Sequence, residues 1–528
     1  MSTYIFAIGG TGARVLRSLT MLLAAGCKGS SAEETIIPII IDYDTENGST
    51  VQTQKLLECY QHIHNAAYKP EDKDKESFFC TPIKKLKEIS KAPARFNRDT
   101  KFEVFLEPDE VNSTFGEHIG FNTINDTNGT LPTRYLLEAL YDKSEGVNAE
   151  LELSLELGFK GCPNIGCVVT KKLTDTEELR QFITLANSDD KILIIGSIFG
   201  GTGASGIPML LDLITDPAGL PENKVGVIAV EPYFKVATDN NSVINSATFE
   251  AKTKAALEAY DLGISVNKQA DAIYYVGDKK TSGALQNYEG GVQQCNPAHV
   301  AELIAGICAI DFMNNGNIQH TDTSTSAMFF ETWLNLPTQD NDPDEDTEVK
   351  EVKVIRVSDF YEKELEEPYI APLSRLAMFN EFCKNYYLGC GSGANSDVWL
   401  RNTSLDAQSA FRTHLREFIT AFEEWITEME DPKRPLKLFN VDDSNYSQLL
   451  VDKVMTRPKF RFITEHAVSD DGIRSQLGKK LNDLDTNPAE KAKLVGRPCY
   501  LYLKWMTEIM KDYYDVIQKW TKEKAAGN

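Results

Sequence analysis

The chain has 528 residues, and at roughly 150 residues per domain this length allows two to four domains with a substantial core. The formal net charge of −23 argues against broad binding to nucleic acid or to anionic lipid, because both require a positive surface. No apolar run reaches the ~18 residues of a membrane helix, and a strand pattern begins almost at Met1. We therefore expect a cytoplasmic protein without a signal peptide.

Short apolar strands alternate with helical patterns in the N-terminal half, which predicts an α/β fold with a mostly parallel sheet. The predicted strands cover residues 4–8, 36–41, 166–170, 191–196, 225–230 and 272–276, and the predicted helices cover residues 13–25, 131–141, 248–262 and 297–313.

The composition changes after residue 314. An acidic, proline-containing stretch at residues 340–348 predicts a solvated loop, and mainly helical patterns follow a strand at 352–357. We predict a first domain over residues 1–315, with an insertion near 58–128 and a central helix at 296–314, and a mainly helical α+β domain over 316–528. The last helix has one apolar face, which packs on the protein body or contacts a protein partner; it comprises Tyr502, Met506, Ile509, Tyr513, Val516 and Trp520.

The cysteines do not indicate a metal site. The chain has ten of them and no Cys-x-x-Cys pair. Cys162 and Cys167 lie close together, but no second pair of Cys or His accompanies them, so we predict reduced thiols and no zinc site.

A glycine-rich turn follows the strand at residues 191–196. Backbone N–H groups hold a phosphate best where no side chain obstructs them and a helix N-terminus lies behind them. Four glycines within seven residues exceed what a tight turn needs, and we predict a phosphate loop. The turn consists of Phe199, Gly200, Gly201, Thr202, Gly203, Ala204, Ser205 and Gly206.

A second glycine turn, Gly9-Gly10-Thr11-Gly12, follows the first strand. On its own this turn also fits a dinucleotide-binding fold, for which Asp42 would contact the ribose. The Gly-x-Gly-x-x-Gly pattern of that fold fails at Val15, however, and the rival leaves the other glycine loop unexplained. Two such loops suit a nucleotide at the carboxyl edge of a parallel sheet.

The loop FGGTGASG and the opening YIFAIGGTGARVL resemble the signature and the first nucleotide loop of the tubulin/FtsZ superfamily. The resemblance covers roughly residues 3–315 and is closest in character to the divergent bacterial tubulin-like proteins. It implies a tubulin/FtsZ-type GTPase domain that binds GTP or GDP with Mg²⁺. In the signature loop, Gly200, Gly201, Thr202, Gly203 and Ser205 would hold the β- and γ-phosphates, with Ala204 and Gly206 beside them; Gly9, Gly10, Thr11 and Gly12 would support the β-phosphate.

Further residues follow from the resemblance, each with a plain structural alternative. Asp42 and Asp44 match the acidic end of the second strand and would act through a metal-bound water or the ribose, or are solvated strand ends. Glu231 would reach the ribose or is likewise solvated. Gly129, Thr130 and Arg134 occupy the place of the loop that senses the γ-phosphate, although Arg134 equally suits a helix surface.

Asn296 occupies the place of the family's guanine-binding Asn, and it also suits the N-cap of the central helix. The loop after that helix lacks the family's acidic motif, and Asp311 and Asp322 are the only acids near the catalytic position. We expect a head-to-tail homopolymer with slow GTP hydrolysis at the subunit junction. The alternatives are a GTP-binding switch or scaffold that does not polymerise and a Rossmann-type oxidoreductase.

Overall fold

The computed structural model describes most of the chain, and the statements below refer to the part that it describes. This part comprises residues 1–27, 34–72, 74, 76–90, 102–104, 113–124, 131–141, 150–156, 158–237, 244–278, 284–288, 290–321, 326–333, 355–356, 366–383, 405, 408–429, 436–437, 470–488 and 496–526.

A seven-stranded sheet forms the centre of the N-terminal part, and all of its strands are parallel. The central strands are buried along nearly their whole length, which explains their continuous apolar runs, since helices cover both faces of such a sheet. The order is β3-β2-β1-β4-β5-β7-β9. These strands are β1 (Ser2–Ile8), β2 (Thr35–Ile41), β3 (Glu103–Val104), β4 (Lys191–Ser197), β5 (Lys224–Val230), β7 (Ala272–Gly277) and β9 (Met328–Trp333).

Four further strands form two small parallel pairs. They are β6 (Lys235–Val236) with β8 (Ala284–Leu285), and β10 (Ile355–Arg356) with β11 (Leu436–Lys437). The α/β class and the parallel sheet are therefore confirmed.

The helices connect these strands and make up most of the C-terminal part. They are α1 (Gly9–Ala24), α2 (Gly48–Ala67), α3 (Leu86–Ile89), α4 (Phe115–His118), α5 (Leu131–Tyr141), α6 (Pro163–Thr170), α7 (Glu177–Leu185), α8 (Thr202–Thr215), α9 (Phe249–Tyr260), α10 (Val300–Asn314), α11 (Ala371–Phe382), α12 (Ser409–Met429), α13 (Asp470–Thr486) and α14 (Pro498–Ala526).

The prediction of a strand at residues 166–170 is wrong, because these residues belong to α6. Pro163 occupies the first turn, where a proline favours a helix, and the buried positions form one helical face. Gly166 lets this face approach α8, since an added Cβ would lie 2.4 Å from the hydroxyl of Ser205. A short apolar run does not by itself distinguish a strand from a buried helical turn.

The chain divides into two compact units. The first comprises residues 1–18, 35–55 and 83–334, and the second comprises residues 19–34, 56–82 and 335–528. Two segments before residue 335, residues 19–34 and 56–82, therefore belong to the second unit. The predicted division into residues 1–315 and 316–528 does not include this exchange of segments.

Aromatic packing joins the early and late segments of the second unit. Phe78 stacks on Phe379 at 4.9 Å between ring centroids, and Phe79 meets Phe418 edge to face at 4.7 Å. The apolar face of α14 is buried at the positions that the structure describes, which are Tyr502, Met506, Ile509 and Tyr513. None of the described helices is both long enough and apolar enough to cross a membrane.

Candidate functional site

The two glycine turns follow neighbouring strands. β1 and β4 are adjacent in the sheet, and the chain continues from β1 to β2 on one side and from β4 to β5 on the other. In doubly wound sheets a crevice opens outside the carboxyl ends of the two strands at this reversal, and ligands bind there. The turn after Ile8 and the turn after Ser197 both border this crevice.

The two turns approach each other closely. Gly9 has a left-handed φ of +67°, and a Cβ added to it would lie 3.3 Å from the Cβ of Thr202. Together they line one cleft of about 940 Å³ including its open mouth. The predicted residues that line this cleft are Gly9, Gly10, Thr11, Asp42, Asp44, Gly200, Gly201, Thr202, Gly203 and Asn296.

Two helix N-termini point at the cleft. α1 begins at Gly9 and α8 begins at Thr202, so each helix starts within its glycine turn. The first four N–H groups of a helix have no partner inside the helix, and its N-terminus carries a partial positive charge. The floor of the cleft is therefore suited to an anion such as a phosphate.

The remaining residues of the glycine turns pack the helices against the sheet. An added Cβ at Gly12 would lie 2.8 Å from the backbone of Ala7, and one at Gly206 would lie 2.8 Å from the side chain of Ile8. The buried hydroxyl of Ser205 donates to the carbonyl of Gly201 at 2.8 Å. Gly12, Ala204, Ser205 and Gly206 are not among the residues that line the cleft.

A loop that the sequence did not single out forms one wall of the cleft. Gly158, Phe159, Lys160 and Gly161 all line it, and three of them have positive φ, at +74°, +44° and +76° for residues 158, 160 and 161. A positive φ is uncommon for a lysine and is held only where the surroundings fix it. The Lys252 ammonium does so by donating to the Gly161 carbonyl at 2.6 Å.

The loop also abuts the signature turn. An added Cβ at Gly201 would lie 3.0 Å from the Phe159 side chain and 3.1 Å from the Gly161 nitrogen. Glycine is thus required at position 201 for the contact between the two loops. Lys160 lines the cleft together with the phosphate-loop candidates.

Asp42 and Asp44 place two carboxyl groups at the same cleft. Burial and then the neighbouring Asp44 raise the pKa of Asp42 to about 7, while hydrogen bonds from the Asp44 N–H and the Thr50 hydroxyl oppose this rise. Burial also raises the pKa of Asp44, which accepts from the Gly291 N–H at 2.5 Å. Paired carboxylates of this kind are suited to a divalent cation, to its water, or to a ribose hydroxyl.

The lining of the cleft also contains amide and aromatic side chains. Asn296 lines the cleft, and Asn47 donates to Gln294 at 2.7 Å. Planar apolar walls with a few convergent amide groups are typical of sites for flat heteroaromatic ligands. The further lining side chains of these kinds are Phe234, Val236, Ile244, Phe249, Gln286, Asn287 and Tyr288.

The predicted start of the central helix is wrong. α10 begins at Val300, and its N-cap is His299, whose ring nitrogen accepts from the Ala301 N–H at 3.0 Å. The side chain of Glu302 accepts from the His299 N–H at 2.9 Å and completes the capping box. Asn296 therefore precedes the helix without capping it, and it lines the cleft.

A cluster of buried polar side chains packs against the first glycine turn. Arg14 donates from Nε to Glu302 at 2.5 Å and from its other nitrogens to Tyr233 at 2.7 Å and Thr11 at 3.2 Å. Burial alone would lower the pKa of Arg14, but the adjacent Tyr233 and Glu302 raise it above its ordinary value. Arg14 thus ties α1 to α10 as a permanent cation. Nothing in the sequence around Arg14 indicates that its partner is Glu302, 288 positions further along the chain.

Six predicted site residues lie away from the cleft or outside the described residues. Arg134 pairs with Glu138 at 2.9 Å on the surface of α5 and does not line the cleft, and neither does Glu231. Asp311 accepts from Tyr274 at 2.7 Å near the far end of α10. Gly129, Thr130 and Asp322 lie outside the described residues.

The loop after α10 is fixed at the sheet edge opposite to the cleft. Asp271 precedes β7 and accepts from the Val225 N–H at 2.6 Å and from the N–H and hydroxyl of Thr321, both at 2.5 Å. Val225 lies at the start of β5. The nucleotide-site candidates and the loop up to Thr321 therefore lie at opposite edges of one sheet whose strands span about 23 Å.

No protein-family model matches this chain. No curated protein matches it closely enough to count as a relative.

Proposed function

We propose that this protein binds GTP and GDP in the cleft between the two glycine turns, in a fold of the tubulin/FtsZ type. The observation that carries the proposal is the closeness of the two turns. Gly9 and Thr202 begin two different helices, yet a Cβ added to Gly9 would lie 3.3 Å from the Cβ of Thr202. One anion held there would meet the N–H groups of both helix termini.

The glycines fit a phosphate cradle. An added Cβ at Gly10 would have only side-chain neighbours, Asn47 at 3.4 Å and Arg14 at 3.5 Å, so the absence of a side chain is not needed for packing there. The missing side chain leaves the backbone of Gly10 accessible from the cleft. Thr202 adds a hydroxyl and Lys160 adds a positive charge at the same place. A triphosphate chain would be complemented by these groups.

The acidic pair fits a Mg²⁺ ion that accompanies the nucleotide. The Asp44 carboxylate raises the cost of ionising Asp42, and a divalent cation or its water shell would relieve this repulsion. Mg²⁺ supplies charge neutralisation to the phosphates when it is bound. Asp42 and Asp44 would orient its waters or the ribose.

The amide and aromatic lining of the cleft supports a preference for guanine. Asn296 offers both a donor and an acceptor to a base edge, and α10 does not use its side chain as a cap. The dinucleotide-binding alternative has less support, because both glycine turns line the same cleft. In a dinucleotide site only the first turn would be used.

We propose head-to-tail assembly, which the placement of the cleft and of this loop at opposite edges of the sheet supports. A subunit stacked on the cleft of another would bring the loop near Thr321 toward the neighbour's nucleotide. Such a contact is heterologous, and heterologous contacts that do not close form open filaments. We propose slow GTP hydrolysis at this junction. Asp311, which lies at the same end of α10, and Asp322 are the carboxylates proposed to serve it.

The test is competition binding with the purified full-length chain. GTP and GDP should displace a fluorescent GTP analogue, whereas ATP and NAD should displace it at least about tenfold less well. Asn296→Ala should reduce this preference by about tenfold, the equivalent of one hydrogen bond, and the matched variant Asn317→Ala on the exposed loop should not. Equal displacement by ATP and GTP in the wild type would exclude a guanine site.

A further inference from the structure

Two helices of the second unit bring a thiol, an imidazole and a carboxylate together. Cys59 lies on α2, and His414 and Glu417 lie on α12. One ligand atom of each side chain lies within 4.8 Å of the ligand atoms of the other two. The cluster belongs entirely to the second unit and is independent of the proposed nucleotide site.

The distances within the cluster suit tetrahedral coordination. The Cys59 sulfur and the His414 Nδ1 each lie 3.2 Å from the same Glu417 oxygen. Zinc binds sulfur at about 2.3 Å and nitrogen or oxygen at about 2.0–2.2 Å, so two ligands of one tetrahedral ion lie roughly 3.3–3.7 Å apart. Both contacts to Glu417 differ from these separations by only tenths of an ångström, and the sulfur and Nδ1 lie within 4.8 Å of each other.

The spacing and the surroundings of the ligands support the same conclusion. His414 and Glu417 are three positions apart, so they project from one face of α12. Cys59 is only 8% exposed, whereas Glu417 is 55% exposed and leaves a path for an ion. The ring of His62, one turn after Cys59 on α2, stacks on the ring of His414 at 4.2 Å and holds its plane.

We propose that Cys59, His414 and Glu417 bind one Zn²⁺ ion that joins α2 to α12, with water in the fourth position. Thiolate and imidazole ligands select zinc over the harder Mg²⁺ and Ca²⁺. Binding replaces the thiol proton of Cys59 with the metal, and the proton passes to the buffer. The thiolate and the carboxylate together neutralise the two charges of the ion.

Cobalt provides the direct test, because Co²⁺ takes the same ligands and has a visible spectrum. The full-length protein, reduced and freed of metal with a chelator, is titrated with Co²⁺ and then with Zn²⁺. We expect one Co²⁺ per chain, a cobalt–thiolate charge-transfer band, and loss of that band as Zn²⁺ displaces cobalt. The absence of this band in the wild type would overturn the proposal.

Variants then assign the ligands. Cys59→Ser should abolish the band and weaken Zn²⁺ binding by more than about 100-fold, since even losing an outer-shell partner costs roughly 10–100-fold. Glu417→Gln, at the exposed edge of the cluster, should weaken binding without threatening the fold. Cys167→Ser, an exposed thiol of the first unit, is the matched control. A band that persists in Cys59→Ser or disappears in Cys167→Ser would contradict the assignment.

Discussion

Nε of Arg14 lies 2.5 Å from Oε1 of Glu302, and the two side chains are 4% and 0% exposed. This ion pair joins the helix that begins in the first glycine turn to the helix that follows Asn296. It therefore fixes the first glycine turn relative to the start of α10. A buried pair of this kind contributes little net stability, but the loss of one partner leaves an uncompensated charge.

Glu302→Gln should therefore destabilise the protein by about 3–5 kcal/mol. The same substitution in the surface pair, Glu138→Gln, should cost at most about 1 kcal/mol. Adding Arg14→Met to Glu302→Gln removes the unpaired cation, so the double variant should be more stable than Glu302→Gln alone. Chemical denaturation midpoints measure this series. If the destabilisation of the double variant equalled the sum of those of Arg14→Met and Glu302→Gln, the account would be contradicted.

The acidic pair predicts how stability depends on pH. The pKa of Asp42 is raised to about 7 in the folded protein and lies near ~3.9 in an unfolded chain. The folded state thus holds the proton more tightly, and the contribution of Asp42 to stability is full below pH ~4 and is lost as the pH rises through about 7.

Asp42→Asn removes this dependence and keeps an amide that can bond with Thr50. In nucleotide-free protein, the melting temperature of the variant relative to the wild type should therefore rise between pH 5 and pH 8. Asp175→Asn, an exposed carboxylate, should show no such trend. A difference between Asp42→Asn and wild type that stays constant with pH would refute the prediction.

Lys160 should contribute its charge to phosphate binding. Lys160→Asn removes the charge while keeping a residue that tolerates positive φ. It should weaken GTP binding by roughly 10- to 100-fold, the equivalent of a charge-assisted hydrogen bond, and should weaken GDP binding less. Lys160→Arg keeps the charge and should retain most of the affinity. Calorimetric titrations decide this, and equal losses in both variants would assign the effect to the loop backbone.

Head-to-tail assembly should require GTP and should respond to salt. The net charge of −23 opposes close stacking, so assembly should strengthen as salt rises from very low values and screens the repulsion. Asp322→Ala should leave filaments intact and lower GTP turnover. Sedimentation and negative-stain microscopy with GTP and a slowly hydrolysed analogue measure assembly. A strictly monomeric protein across concentration, salt and magnesium would favour a switch that does not polymerise.

The sequence predicted those parts of the fold whose signals are local. The strands around Ile5 and Ile194 are continuous apolar runs, and the glycine turns that follow them are visible without any partner. The prediction of a strand at residues 166–170 is wrong because a short, largely apolar segment fits both periods. His299 is an uncommon N-cap, so the sequence predicts a helix that begins at residue 297 instead of at Val300.

Contacts between distant segments could not be predicted in the same way. Arg14 binds Glu302, which lies 288 positions further along the chain. Cys59 contacts Glu417, which lies 358 positions further along. Neither Arg14 nor Cys59 belongs to a local sequence motif from which its partner could be predicted. Lys160 was missed because its loop follows no apolar strand, although the glycines on either side of residues 159–160 are a usable turn signal.

The most direct measurement of the central claim is GTP binding to Gly10→Asp. The added carboxylate would occupy the proposed phosphate position, yet its Cβ has room beside Asn47, and an acid in the first turn of α1 favours the helix. The matched control is Gly478→Asp, which adds the same charge where an added Cβ meets nothing within 4 Å. Calorimetry should show GTP binding in the wild type and in Gly478→Asp, and none in Gly10→Asp with an unchanged melting temperature. Unchanged GTP affinity in folded Gly10→Asp, or no GTP binding by the wild type, would contradict the account.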